Sequence, residues 1–193
     1  MLSKLNKNIR NSIQVQQTIL KDTQLLTDLS QMAQAVVLSY QNEGKVLFCG
    51  NGGSAADADH LAAELAGRYY YDRPPLDAQA LHSNGAYLTA IANDYSYDYV
   101  YARLLQAVAK KGDLLFALST SGNSANVVQA VRLAPTLGVK VFGFTGATGG
   151  QLKTLCDICI SIPSQDVPRI QETYMLLIHT ICEYVEAELF GKS

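Results

Sequence analysis

Two kinds of apolar pattern follow one another along the chain. Over residues 3–43, apolar positions return at three- and four-residue steps: Leu5, Ile9 and Ile13, then Leu25, Leu29, Met32, Val36 and Leu38. That period is helical and predicts two N-terminal helices, each with an apolar stripe to bury. From residue 44 onward the pattern changes to short apolar runs bounded by turn residues: GKVLFCG, GDLLFALS, VKVFGFTG and CDICISIP. Runs this short and this apolar predict strands buried on both faces, and DAQALH predicts another. Stretches of helical length, 54–67, 97–109 and 124–137, lie between them. A last stretch, 169–190, places Ile170, Tyr174, Leu177, Ile178, Ile181, Val185 and Leu189 on one stripe, with Pro168 where a helix can begin.

Strands alternating with helices predict a three-layer α/β/α sandwich around a mainly parallel sheet of about five strands. One domain is expected over 1–193, with a helical segment at 1–43 and an α/β core at 44–193. In such sheets, ligands collect at the turns that leave the carboxyl ends of the strands. Three turns fit that description: GNGGS at 50–54, STSGNS at 119–124 and TGATGG at 145–150. Glycine lets a ligand come close to the backbone, and the first N–H groups of the next helix attract negative charge, so each turn could hold an anion. STSGNS is the best endowed, because Ser119, Thr120, Ser121 and Ser124 add four hydroxyls without adding charge, which suits a phosphate ester. No Gly-Lys-Ser/Thr follows and the third glycine of a dinucleotide fingerprint is missing, which disfavours nucleotide cofactors.

Composition narrows the ligand further. Of 193 residues, 48% are apolar and 17% charged, and no apolar run approaches the ~20 residues needed to span a bilayer. The first residues lack the continuous apolar centre of a secretory signal, so the cytoplasm is the expected compartment. A net charge of -2 with scattered Lys and Arg excludes a dedicated nucleic-acid surface and points to a small ligand. The cysteines are Cys49, Cys156, Cys159 and Cys182; the one Cys-x-x-Cys pair leads into a strand and has no second pair, so it reads as structural thiols.

The remaining candidates are His60 and Glu64, four residues apart and so on one helix face, and Gln171 and His179, on one side of the closing helix. If they converge, they suit either a metal site or an acid/base couple acting on a bound sugar. Spacing alone would equally fit an exposed ion pair and a core hydrogen bond. His82 has nothing in its neighbourhood to separate it from a surface histidine.

Taken together, CGNGGSAADADHLAAEL, AIAND, LSTSGNSANVVQA and RIQETYMLLIHTICEYVEAELF resemble the phosphoheptose isomerase family of sugar isomerase (SIS) domains, with a flavodoxin-like fold. The resemblance implies conversion of sedoheptulose 7-phosphate to D-glycero-D-manno-heptose 7-phosphate, at the head of bacterial heptose synthesis for lipopolysaccharide or other surface polysaccharide. It also implies a homotetramer with sites at subunit interfaces, and a zinc ion. By residue, it implies phosphate on Ser119, Thr120, Ser121 and Ser124, and sugar contacts from Asn51, Gly52, Gly53, Glu64, Asn93, Asp94 and Gln171. Proton transfer falls to Glu64 and His179, and zinc to His60, Glu64, Gln171 and His179. An aspartate that some members carry just before the RIQE arginine is Pro168 here, which leaves Asp166 as the nearby carboxylate. The rival is a non-catalytic SIS scaffold that binds a phosphosugar or the replication initiator DnaA. Such proteins lack the equivalents of Glu64 and His179, and this chain has both.

Overall fold

The structure, a computed structural model, describes residues 1–191; residues 192 and 193, the end of the expected domain, lie outside the described residues. The two predicted N-terminal helices are α1 (Leu2–Ile19) and α2 (Thr23–Gln41). Asp22 separates them, because its side chain accepts the Leu25 N–H at 3.0 Å and caps α2. The α2 stripe of Leu25, Leu29, Met32 and Val36 is buried, while Leu38 faces outward. On α1 the stripe stays uncovered: Leu5, Ile9 and Ile13 are 47%, 59% and 47% exposed, and only Val15 and Ile19 reach the core.

The predicted strands form one five-stranded, all-parallel sheet in the order β2-β1-β3-β4-β5. They are β1 (Val46–Gly50), β2 (Ala78–Ala80), β3 (Leu114–Leu118), β4 (Lys140–Thr145) and β5 (Ile158–Ser161). Every residue of β1 and β3 is buried, as continuous apolar runs require in a sheet covered on both faces. Side chains alternate between two cores. Phe48, Phe116 and Phe142 turn toward α2, α3 (Gly53–Ala66) and α8 (Val167–Phe190), with Phe48 and Phe142 ring centroids 5.2 and 5.4 Å from Phe116. Leu47, Leu115, Ala117 and Val141 turn the other way, toward α5 (Val100–Val108) and α6 (Ala125–Leu133).

The periodicity did not predict α4 (Gly85–Asp94), because that helix buries no residue fully and its stripe is limited to the half-buried Leu88, Ile91 and Ala92. The expected helices at 97–109 and 124–137 each contain a 3-10 turn, Tyr97–Tyr99 before α5 and Ala134–Leu137 after α6, the latter around Pro135. The closing helix starts at Val167, so Pro168 lies in its first turn, where a missing N–H breaks no helical bond. Cys156 and Cys159 are free, half-buried thiols packed against Gly143, where a Cβ would stand 2.7 and 2.9 Å from the two sulfurs.

Helix α8 is tied to the segment after α3 by a buried charge pair. The Glu186 carboxylate accepts the N–H groups of Tyr69 at 2.8 Å, Tyr70, and Tyr71 at 2.9 Å, and Arg73 Nε at 2.7 Å. Arg73 also donates to the carbonyls of Glu64 at 3.0 Å and Leu65 at 2.9 Å, which fixes the last turn of α3.

Candidate functional site

The order β2-β1-β3-β4-β5 reverses direction between β1 and β3, so the turns leaving those two strands flank the crevice where parallel sheets place ligands. The predicted turns 50–54 and 119–124 are those two.

The first turn needs its glycines for different reasons. Gly52 has φ +56°, a left-handed conformation that side chains disfavour, and Gly53 makes room for α8. A Cβ on Gly53 would stand 2.5 Å from Gln171 Nε2. Asn51 and the buried Asn126 pair their amides reciprocally: Asn51 Nδ2 donates to Asn126 Oδ1 at 2.8 Å, and Asn126 Nδ2 donates to Asn51 Oδ1 at 2.9 Å. The Tyr97 hydroxyl donates to the same Asn51 oxygen at 3.1 Å, so that carbonyl is fully used inside the protein, while the Tyr101 hydroxyl gives its one proton to the Gly50 carbonyl. The pair joins this first turn to the start of α6.

The second turn gathers its hydroxyls as predicted. Ser119 is buried, and its Oγ lies 3.0 Å from Ser124 Oγ and 3.5 Å from Ser121 Oγ, ahead of the free N–H groups at the start of α6. Thr120 and Ser121 line a cavity of about 280 Å³ together with Gly146, Ser164 and Ile170. The third turn is a support, not the separate anion site its glycines suggested. The helix after it, α7 (Leu152–Leu155), is only four residues long. Its own bonds run to the second turn: Gly146 N–H donates to Thr120 O at 3.0 Å and Leu152 N–H to Gly122 O at 3.2 Å. A Cβ at Gly122, whose φ is +67°, would overlap the Gly149 carbonyl.

Helix α3 turns His60 and Glu64 to one face, and α8 brings His179 onto it. His60 Nε2 lies 3.0 Å from Glu64 Oε1 and 3.3 Å from His179 Nε2, and one ligand atom from each of the three falls within 4.8 Å of the others. The Tyr69 ring centroid stands 6.0 Å from that of His179. Burial and the neighbouring His60 push the His179 pKa down, against the pull of Glu64, so its imidazole is neutral at pH 7. One proton on His60 Nε2 cannot serve both Glu64 and His179. As hydrogen bonds the cluster is under-satisfied, whereas two imidazole nitrogens and a carboxylate facing one point fit a divalent cation such as zinc.

The other predicted residues lie around this cluster. Gln171 Nε2 donates to Ser54 Oγ at 3.5 Å, at the start of α3. Ser54 Oγ in turn meets the Tyr174 hydroxyl at 2.8 Å, and Tyr174 donates to Asp57 Oδ2 at 2.9 Å. Burial raises the Asp57 pKa, opposed by Tyr174 and His60. Asn93 and Asp94 close α4, exposed, and bond each other at 2.9 Å. Pro168 and Asp166 are exposed at the start of α8, and the Asp166 side chain makes no capping bond. His82 is not a surface histidine: its side chain is 13% exposed and bonds Asp59 at 3.0 Å. A larger cleft, about 460 Å³ between α3, β2 and α4, is lined by Asp59, Ala62, Ala66 and Tyr87 among others and contains no predicted site residue.

Sequence reasoning missed Asn126, Asp57 and Tyr174. Asn126 belongs to the STSGNSAN run and Asp57 lies three residues before His60, so both had a signal; Tyr174 was concealed in the apolar stripe of α8.

The SIS domain family matches residues 9–146 of the chain. The chain is 45% identical over 186 residues to the phosphoheptose isomerase of Aneurinibacillus thermoaerophilus, covering 96% of this chain and 94% of that protein. It is 50% identical over 180 residues to the phosphoheptose isomerase of Mycobacterium tuberculosis (strain ATCC 25177 / H37Ra), covering 93% and 92%. Among solved structures, phosphoheptose isomerase GmhA from Neisseria gonorrhoeae aligns with a TM-score of 0.90 at 38% identity, over 96% of this chain and 98% of that one. A phosphoheptose isomerase from Francisella tularensis aligns with a TM-score of 0.89 at 36% identity, over 95% and 97%.

Proposed function

We propose that this chain, which belongs to the phosphoheptose isomerase family of SIS domains, converts sedoheptulose 7-phosphate to D-glycero-D-manno-heptose 7-phosphate. The observation that carries the reading is the meeting of Glu64 and His60 with His179, 119 positions along the chain from His60, beside a hydroxyl-lined anion turn.

Moving the carbonyl from C2 to C1 requires a base to take a proton from C1. The C–H electrons then form the C1–C2 double bond while the C2 oxygen gains a proton, giving an enediol. Loss of the O1 proton and return of a proton to C2 complete the aldose. Glu64, partly exposed, and the neutral His179 divide these two carbon-proton roles between them. Ser119, Thr120, Ser121 and Ser124 hold the phosphate, so that the far end of the sugar is fixed while its first two carbons react. The turn Asn51–Gly52–Gly53, Gln171, and Asn93 with Asp94 contact the sugar. In an alternative use of the same lone pairs, His60, Glu64 and His179 would hold a zinc ion, with the carbonyl oxygen of Gln171 as a fourth donor, and a nitrogen or oxygen that ligates it would not move protons. Zinc bound there supplies Lewis-acid polarisation of the substrate's carbonyl and hydroxyl oxygens.

The same reading makes the protein a cytoplasmic homotetramer that starts heptose synthesis for a surface polysaccharide, with sites at subunit interfaces. The uncovered stripe of Leu2, Leu5, Ile9 and Ile13 on α1 supports assembly, and no helix among the described residues is long and apolar enough to cross a membrane. The test is incubation of the purified protein with sedoheptulose 7-phosphate, with and without added zinc, following aldose formation by NMR. Turnover is expected; none under either condition leaves the non-catalytic scaffold as the better reading.

A further inference from the structure

We propose that Asp57, acting through Tyr174 and Ser54, is a positioning residue that fixes which end of the Gln171 amide faces the sugar. The inference rests on the reading above, in which Gln171 belongs to the site.

Proton supply along a chain of four side chains sets the direction of each bond. The Tyr174 hydroxyl is buried with its ring and has one proton to give. A carboxylate only accepts, so that proton goes to Asp57 Oδ2, 2.9 Å away. The Tyr174 oxygen is left as an acceptor, and Ser54 Oγ, 2.8 Å from it, becomes the donor. With its only proton committed, Ser54 must accept from its remaining neighbour, which is Gln171 Nε2 at 3.5 Å. Each bond therefore has one allowed direction, set by the acceptor-only group at the far end. The NH2 end of Gln171 is drawn against α3, and its carbonyl oxygen is left free for a sugar hydroxyl or a cation.

An amide is nearly the same shape either way round, so packing alone discriminates weakly between the two orientations. Gly53 leaves the room: a Cβ there would lie 2.5 Å from Nε2 and 3.2 Å from Oε1. Asp57 also precedes His60 by three residues on α3, so the helix that carries the reacting residues carries the group that orients their partner from α8.

The test is a set of variants read by steady-state kinetics, by zinc affinity in competition with a chelator, and by thermal melting. Tyr174→Phe keeps the ring and removes the relay; kcat/KM and zinc affinity should each fall about three- to tenfold, the worth of one neutral hydrogen bond. Asp57→Asn keeps the shape but can donate to Tyr174 and reverse the chain, so it should fall to a similar extent. In a Gln171→Ala background, Tyr174→Phe should change either quantity by less than about twofold, because the group being oriented is gone. Equal losses in both backgrounds would reduce Tyr174 to a packing role and overturn the proposal, as would wild-type values for both single variants. Should Tyr174→Phe fail to fold, Asp57→Asn at its half-exposed position gives the same comparison. Gln171→Ala alone serves as the control on the premise: if it leaves kcat/KM and zinc affinity unchanged, Gln171 is outside the site, a result distinct from failure of the relay.

Discussion

Replacing Glu186 by Gln changes one oxygen to an NH2 group at the point where α8 is fastened to the segment after α3. In the parent, Oε1 takes Tyr69 N–H and Arg73 Nε, and Oε2 takes Tyr70 and Tyr71 N–H. Whichever way the glutamine lies, its NH2 end confronts two donors and Arg73 loses its counter-charge. Both charged side chains are 1% exposed, so water does not compensate. Removing one partner of a buried pair costs about 3–5 kcal/mol, and each stranded donor about 1–3 kcal/mol. The two figures overlap, because Arg73 is counted in both. Arg73 also keeps its carbonyl acceptors on Glu64 and Leu65. A loss of about 3–4 kcal/mol is therefore expected, a large part of a typical domain's 5–15 kcal/mol. Denaturant unfolding at one fixed protomer concentration measures it, since oligomer stability depends on concentration. Acid adds a second readout. Burial alone would raise the Glu186 pKa, but the three backbone N–H groups and Arg73 outweigh it and hold it below the ordinary 4.5. A carboxyl held low in the folded state contributes stability that is complete above its unfolded pKa and lost as pH falls through its folded pKa. The gap between parent and variant should therefore narrow below about pH 4.5. A loss under about 1 kcal/mol at neutral pH, or a gap that stays constant into acid, would refute this account.

Four further outcomes are expected. Glu64→Gln keeps shape but cannot move a proton, so kcat should fall at least ~10²-fold in steady-state assays while substrate still binds. Ser121→Ala combined with Ser124→Ala removes two hydroxyls from the turn proposed to hold the phosphate, each worth about 1.5–3 kcal/mol toward a charged group, and should raise KM steeply with a smaller effect on kcat. Gly53→Ala places a methyl where the Gln171 amide now lies, 2.5 Å from Nε2, and should lower kcat/KM about tenfold with little change in melting temperature. Ile9→Asp puts a charge in the middle of the uncovered α1 stripe and should shift the oligomer toward smaller species by light scattering.

The parallel sheet was readable because a short, continuous apolar run closed by turn residues suits a strand buried on both faces and little else, and all five strands lie within such runs or within DAQALH. Helix α4 was not, since it buries no residue fully and only Leu88, Ile91 and Ala92 lean on the second core, too short a stripe to stand out. Within the site, His60, Glu64 and His179 could be nominated by spacing on two helices, but their meeting depends on how α8 crosses α3. The Asn51–Asn126 pair, 75 positions apart, escaped for the same reason: an amide that ties two turns together reads as a turn residue at each end. His82 misled because its partner, Asp59, is 23 residues away and an exposed-looking motif surrounds it.

Order of manufacture follows from the placement of α8. Because this helix comes after every strand of the sheet, the ribosome releases His179, Gln171 and Tyr174 only once β1 to β5 have emerged. Until then the face of the sheet that carries Phe48, Phe116 and Phe142 lacks the helix that completes its core. A product cut short before residue 167 contains all three turns and the α3 half of the cluster, yet has no partner for His60 and Glu64. Such a fragment should neither fold stably nor turn over substrate, because α8 also supplies Ile170, Leu177, Ile181 and Val185 to the core.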